Sequence, residues 1–175
     1  VLLALAALGG LHAAPVQAPH VSVDLVGEST AFTPGTTTWV GLKFDIEPEW
    51  HLYWRNPGDS GEAPQVKWTL PAGWKVGEVR WPRPEAIEIG PLVNHGYEGE
   101  LLLMVPIEVP AGTTGIGKLA ATATWLVCQE QCIPGKAQLE LELPVGPLAR
   151  SASAPVFVPS CVKMSVAVAS AAVGI

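Results

Sequence analysis

Two cysteines separated by three residues are the part of this chain best suited to chemistry. Cys128 and Cys132 lie in the stretch TATWLVCQEQCIPGKAQLELELPV, where an apolar run ends at the first cysteine. If the chain turns over between them, a three-residue hairpin loop places the two cysteines opposite each other. Their Cα atoms would then lie near the ~5.5 Å that a disulfide prefers, so a bond between the sulfurs is geometrically easy.

Three kinds of chemistry fit such a pair: reversible thiol–disulfide exchange, a permanent structural disulfide, and half of a metal site. A disulfide that closes a loop of roughly five residues stabilises a fold by only ~2 kcal/mol in the chain-entropy model. A bond at the tip of a hairpin is also open to an incoming thiolate, so the spacing favours exchange over a staple. A tetrahedral zinc site needs four ligands, usually in two pairs. The other candidate ligands are scattered singly: His20, His51, His95 and Cys161. No metal or other cofactor is therefore predicted.

The elements that would position the cysteines are β-strands. HVSVDLVG, TTTWVGLKFDIEP and AQLELELPV alternate apolar and polar residues, and the second has a predicted core face of Val40, Leu42, Phe44 and Ile46. LLLMVPIEVP is apolar on both faces, which predicts a central strand that is covered on both sides. Seven to nine strands at turn spacing, without a helical period, predict an all-β fold: an immunoglobulin-like antiparallel β-sandwich.

Three other segments are less regular. WHLYW reads as a strand of aromatic core residues that ends in a turn at residues 56–59, and GEVRWPRP reads as a further short strand. Residues 85–97, in the stretch RPEAIEIGPLVNHGYEGE, show no period and are predicted to form a long loop. The formal net charge of -6 and a pI of about 5.1 leave no basic surface of the kind that binds nucleic acid.

The two ends of the chain differ in character from its middle. Residues 1–18 have the short apolar run of a signal peptide, with cleavage after Ala13 or Ala18, and export would place the cysteines outside the reducing cytosol. Residues 19–147 are predicted to form the immunoglobulin-like domain. Residues 148–175 read as a tail or a truncated linker, with too few uninterrupted apolar residues for a membrane span.

Three motifs in this order resemble one family: WHLYWRNPGDSGEAP, GPLVNHGYEGE and TWLVCQEQCIPGKA. Together they are similar to the N-terminal periplasmic domain of DsbD-type and ScsB-type thiol:disulfide interchange proteins, which are protein-disulfide reductases. The resemblance covers residues 21–145. It implies an immunoglobulin-like domain with its cysteine pair at one end of the sandwich, and a link to cytochrome c biogenesis.

The resemblance also implies partners and roles. A thioredoxin-like domain, itself supplied through a membrane domain, would donate electrons, and oxidised periplasmic thiol proteins would accept them. The residues matching the redox motif are Cys128 and Cys132, with Cys132 as the expected partner-facing sulfur. A cap loop would correspond to residues 85–97, where Ile89, Leu92, His95 and Tyr97 could line the site. The resemblance also leads us to expect a membrane domain and a thioredoxin-like domain, and residues 146–175 do not resemble the beginning of either.

Overall fold

The computed structural model describes residues 14–157, and most of them belong to strands. The strands are β1 (Val16–Ala18), β2 (Val21–Gly27), β3 (Thr37–Ile46), β4 (Leu52–Gly58), β5 (Gln65–Thr69), β6 (Lys75–Val76), β7 (Glu85–Ile89), β8 (Leu92–Tyr97), β9 (Glu100–Glu108), β10 (Ile116–Cys128) and β11 (Cys132–Pro144), followed by a 3₁₀ helix (Ala154–Phe157). Most of the predicted signal peptide, and Cys161 with most of the predicted tail, lie outside the described residues. Within residues 14–157, no helix has the length and apolar character needed to cross a membrane.

The strands form three antiparallel sheets. The largest has the order β1-β2-β3-β9-β6, the second has the order β11-β10-β5, and a small third sheet has the order β4-β8-β7. One hydrophobic core contains residues from both larger sheets, so these two sheets form the sandwich. The prediction of an all-β, immunoglobulin-like antiparallel sandwich is confirmed.

Alternation along the strands decides which side chains enter the core. On β3, the predicted core face is buried throughout, with Val40, Leu42 and Phe44 at 0% exposure. On β11, Leu139, Leu141 and Leu143 are buried, whereas the intervening glutamates are not. On these two strands, the residues of the core face therefore alternate with less buried residues on the other face, as the sequence predicted.

Strand β9 is central and covered on both faces, which confirms the prediction for LLLMVPIEVP. Leu101 and Leu103 belong to the main core, while Leu102 packs on the opposite face with Val26 and Phe157. Phe157 comes from the 3₁₀ helix, so residues after 147 also pack on β9, and the domain end predicted at residue 147 stays a prediction.

The predicted long loop at residues 85–97 is wrong, because these residues form the β7–β8 hairpin. Its strands pair from Glu85↔Gly96 to Ile89↔Leu92, around a two-residue turn that contains Gly90 at φ 60°. Most residues of the hairpin are exposed or half-buried, so its two faces are too alike to produce the alternation on which sequence reasoning depends.

Two smaller predictions also need correction. Strand β4 continues through residues 56–58, with an irregular pairing to β8, and the turn that was predicted at residues 56–59 starts later. The predicted strand in GEVRWPRP is replaced by the two-residue β6 just before it and a single bridge from Arg80 to Met104. Pro82 and Pro84 lack the N–H groups that a longer ladder needs.

Candidate functional site

The two cysteines close the β10–β11 hairpin with a disulfide. The register of the hairpin runs without interruption from Ile116↔Pro144 to Cys128↔Cys132, and the Cα atoms of the bonded cysteines are 4.1 Å apart. Residues 129–131 form the turn, in which the N–H of Gln129 donates to the carbonyl of Gln131. The long ladder below the turn fixes the position of both sulfurs at one end of the sandwich.

The two sulfurs lie in different surroundings. Cys128 is 1% exposed, whereas Cys132 is exposed. Cys128 is covered because its backbone N–H and carbonyl exchange hydrogen bonds of 3.0 and 2.9 Å with His51, the residue before β4. Of the two cysteines, Cys132 is therefore the more accessible to solvent.

The aromatic segment that leads into β4 supplies the two rings beside the disulfide. Tyr53 is 1% exposed, and its hydroxyl lies 3.7 Å from the Sγ of Cys132. Burial raises the pKa of Tyr53, so its hydroxyl stays protonated at neutral pH and can donate to a sulfur that gains negative charge. His51 is 2% exposed, and its ring meets the ring of Tyr53 edge to face at 5.0 Å.

A loop at residues 59–61 covers the outer side of Tyr53. A Cβ placed on Gly61 would lie 2.1 Å from Cζ of the Tyr53 ring, so only a residue without a side chain can rest there. Strand β8 holds this loop, because the buried Asn94 side-chain oxygen accepts hydrogen bonds from the N–H of Ser60 at 2.9 Å and from its hydroxyl at 3.1 Å. The β7–β8 hairpin thus acts on the site through the loop above Tyr53.

Replacement of Asn94 by Ala should destabilise the domain by about 1–3 kcal/mol, since the Ser60 N–H would lose its partner. Denaturant unfolding measures this loss. The Ser60→Ala variant is the matched control, because it removes the hydroxyl bond and keeps the bond to the N–H, and it should cost about 1 kcal/mol. Equal losses in the two variants would contradict this account of the loop.

The four residues predicted to cap the site lie on or beside the hairpin. Ile89 is half-buried and Leu92 is 38% exposed at its tip, while His95 packs against Trp54 at 6.2 Å between ring centroids. The hydroxyl of Tyr97 donates to the carbonyl of Pro82. The recorded contacts of His95 and Tyr97 run to β4 and to residue 82, and the role of the four residues as a cap stays a prediction.

A shallow groove of about 350 Å³ flanks the cysteine hairpin. It lies between residues 62–63 and the hairpin positions Leu126, Pro134 and Lys136. Since Pro134 is two residues from Cys132, a chain segment resting in the groove would pass close to the exposed sulfur.

Sequence reasoning missed His51 and Tyr53 as site residues. It assigned WHLYW to the core, and the burial of both residues agrees with that assignment. A usable signal was present nonetheless: two rings with polar atoms occupy alternate positions, so they share one face of an aromatic strand.

Comparison with known proteins agrees with this geometry. Residues 22–144 match the family described as "Thiol:disulfide interchange protein DsbD, N-terminal". The N-terminal periplasmic domain of ScsB from Proteus mirabilis has the same fold, with 23% identity and a TM-score of 0.62 over 79% of this chain. The match spans 54% of that ScsB chain.

The reduced N-terminal domain of Neisseria meningitidis DsbD also matches, with 15% identity and a TM-score of 0.41 over 72% of this chain and 89% of that one. No curated protein sequence matches this chain. The family match covers most of the chain and includes both cysteines, Cys128 and Cys132. The chain therefore belongs to the family of the N-terminal domain of the thiol:disulfide interchange protein DsbD.

Proposed function

We propose that this domain relays electrons in the periplasm through the Cys128–Cys132 pair. A thioredoxin-like domain, supplied through a membrane reductase module, donates the electrons, and oxidised periplasmic thiol proteins accept them. The observation that carries the proposal is the contrast between the two cysteines: Cys132 is exposed, whereas Cys128 is 1% exposed and is bridged to the residue before β4. Family membership supports the same chemistry.

Reduction of the pair takes two exchange steps. A donor thiolate attacks the Sγ of Cys132, which forms a donor–Cys132 mixed disulfide and releases Cys128 as a thiolate that takes up a proton. The second thiol of the donor then attacks the first sulfur of the donor, which is bonded to Cys132 in the mixed disulfide. The donor leaves oxidised, and Cys132 leaves as a thiolate, so two electrons have moved to the pair.

Transfer to an acceptor reverses this order. The Cys132 thiolate attacks the disulfide of the acceptor, one acceptor sulfur leaves as a thiolate, and a mixed disulfide forms. Cys128 then attacks the Sγ of Cys132, so the acceptor leaves with both sulfurs reduced and the pair returns to the disulfide. The hydroxyl of Tyr53, 3.7 Å from Cys132, is suited to stabilise the Cys132 thiolate in each direction.

The positions of the cap residues are part of this proposal. Ile89, Leu92, His95 and Tyr97 would restrict access to the site indirectly, because the β7–β8 hairpin that carries them holds the loop over Tyr53. The groove beside Cys132 would receive the segment of the partner that flanks its own cysteine.

The reduction potential of the pair distinguishes this function from a binding module with a permanent disulfide. We expect a value above about -300 mV, since exchangeable disulfides lie above the range of structural ones. Equilibration in dithiol redox buffers, followed by thiol alkylation and mass measurement, gives the potential. A value below that range, together with no transfer of electrons from a thioredoxin, would support the permanent disulfide instead.

A further inference from the structure

We infer that His51 is the general base for Cys128: its imidazole takes the thiol proton when Cys128 attacks a mixed disulfide on Cys132. This inference rests on the proposed exchange function and adds to it the group that activates the buried thiol.

The Nε2 atom of His51 is buried and has no hydrogen-bond partner among the described residues. A buried polar atom without a partner costs a protein about 1–3 kcal/mol, so the unpaired Nε2 of a residue that is bridged to Cys128 calls for an explanation. The His51 side chain as a whole is only 2% exposed, so water offers little compensation in the disulfide form.

The backbone places this imidazole on the side of Cys128. His51 and Cys128 form an antiparallel bridge with both hydrogen bonds, of 2.9 and 3.0 Å. Residues that are directly opposite in an antiparallel pair project to the same face, with Cβ atoms about 4.5–5.5 Å apart. The side chains of His51 and Cys128 therefore share one buried face, as Tyr53 and Cys132 share a contact next to it.

The surroundings of the ring favour its neutral form. Among the described residues, the titratable groups with a recorded contact or bridge to His51 are Tyr53, on the same segment, and Cys128 from β10; Cys132 from β11 lies beyond Tyr53. Glu49, two residues earlier, is engaged with the side chain of Gln129 in the turn. Burial lowers the pKa of His51, so at neutral pH the ring is ready to accept a proton.

The resolving step can then be written in full. In the mixed disulfide, Cys128 is a thiol and Cys132 is bonded to the sulfur of the partner. The thiol proton passes to the imidazole of His51, and the resulting Cys128 sulfur forms a bond to the Sγ of Cys132 as the bond from Cys132 to the partner breaks. The partner leaves as a thiolate with the bonding electron pair, and the imidazolium later gives its proton to solvent.

Stopped-flow reaction with 5,5′-dithiobis(2-nitrobenzoate) tests the inference. Reduced protein in a Cys161→Ser background should release one nitrothiobenzoate when Cys132 attacks, and a second when Cys128 resolves the mixed disulfide. In His51→Phe and His51→Gln, we expect the first phase to keep its rate and the second to slow at least about tenfold at pH 7, because general bases contribute about 10²–10⁴-fold. His51→Gln keeps a polar side chain in the buried position, so it covers the case in which His51→Phe does not fold.

The pH profile separates a general base from a structural residue. In the unsubstituted protein, the second phase should reach a plateau above the lowered pKa of His51. In both variants, it should instead keep rising with pH as the thiol ionises unaided, which happens near pH 8.5 for a free cysteine. A second phase with unchanged rate and profile in either folded variant would overturn the role of His51. If the unsubstituted protein forms no mixed disulfide at all, the proposed exchange function falls with it.

Discussion

The reduced Cys128→Ser variant should react with 5,5′-dithiobis(2-nitrobenzoate) on the order of 100-fold faster than the reduced Cys132→Ser variant. Each variant, in a Cys161→Ser background, retains one thiol of the pair. Cys132 is an exposed residue, whereas Cys128 is 1% exposed, so its thiol should react only after a local opening of the segment that leads into β4. A local opening that costs about 2.7 kcal/mol lowers the observed rate about 100-fold.

The same two variants, unfolded in urea, provide the control for this comparison. Both thiols are then accessible, and their rates should become nearly equal. A similar rate for the two folded variants would mean that burial does not distinguish the sulfurs, and the order of attack proposed above would be wrong. In the folded Cys128→Ser protein, the mixed disulfide between Cys132 and nitrothiobenzoate should also persist, because the resolving sulfur is missing.

The strands with a clear apolar pattern could be predicted. In β2, β3 and β11, residues of the core face alternate with mostly polar or less buried residues, so alternation identified both the strand and its core face. The continuous apolar run of β9 likewise predicted a strand that is covered on both faces. The turn between Cys128 and Cys132 could also be predicted, because two strong strand patterns end on either side of three polar residues. The β7–β8 hairpin lacks such a contrast, which is why its residues were taken for a loop.

The cysteine pair could be found from the sequence, but its chemical surroundings could not. His51 and Tyr53 are separated from the cysteines by more than seventy positions, and the bridge to Cys128 that joins them is isolated from any continuous ladder. Aromatic segments are buried in most folds because they are hydrophobic. The aromatic character of this segment therefore does not indicate that it lies beside a disulfide. The contact depends on how the third sheet meets the end of β10, which is a tertiary property.

The loop over Tyr53 reverses the chain and also packs against a residue of the site. The sequence predicted a turn at residues 56–59 from asparagine, proline, glycine and aspartate, and the chain does turn just after them. The residue that matters for the site is Gly61, at φ 88°, which rests on the ring next to Cys132. No local pattern distinguishes it from the other turn glycines of this chain.

The Gly61→Ala variant should lose about 2–4 kcal/mol of unfolding free energy. An alanine at this backbone conformation costs about 1 kcal/mol, and its Cβ would overlap the buried Tyr53 ring, which adds the 1–3 kcal/mol typical of overpacking. The Gly115→Ala variant is the matched control, because Gly115 has nearly the same φ, 87°, and no atom within 4 Å of the added Cβ. It should lose only about 1 kcal/mol.

Denaturant unfolding gives the unfolding free energy of each variant. The difference between the two values is the cost of the overlap with the Tyr53 ring, because both variants share the backbone cost of an alanine at positive φ. The disulfide should be kept oxidised, so that both variants unfold from the same covalent state. If Gly61→Ala loses no more than Gly115→Ala, the loop moves away from the ring at no cost. Tyr53 would then depend on the core alone for its position beside Cys132, and the β7–β8 hairpin would have no part in shaping the site.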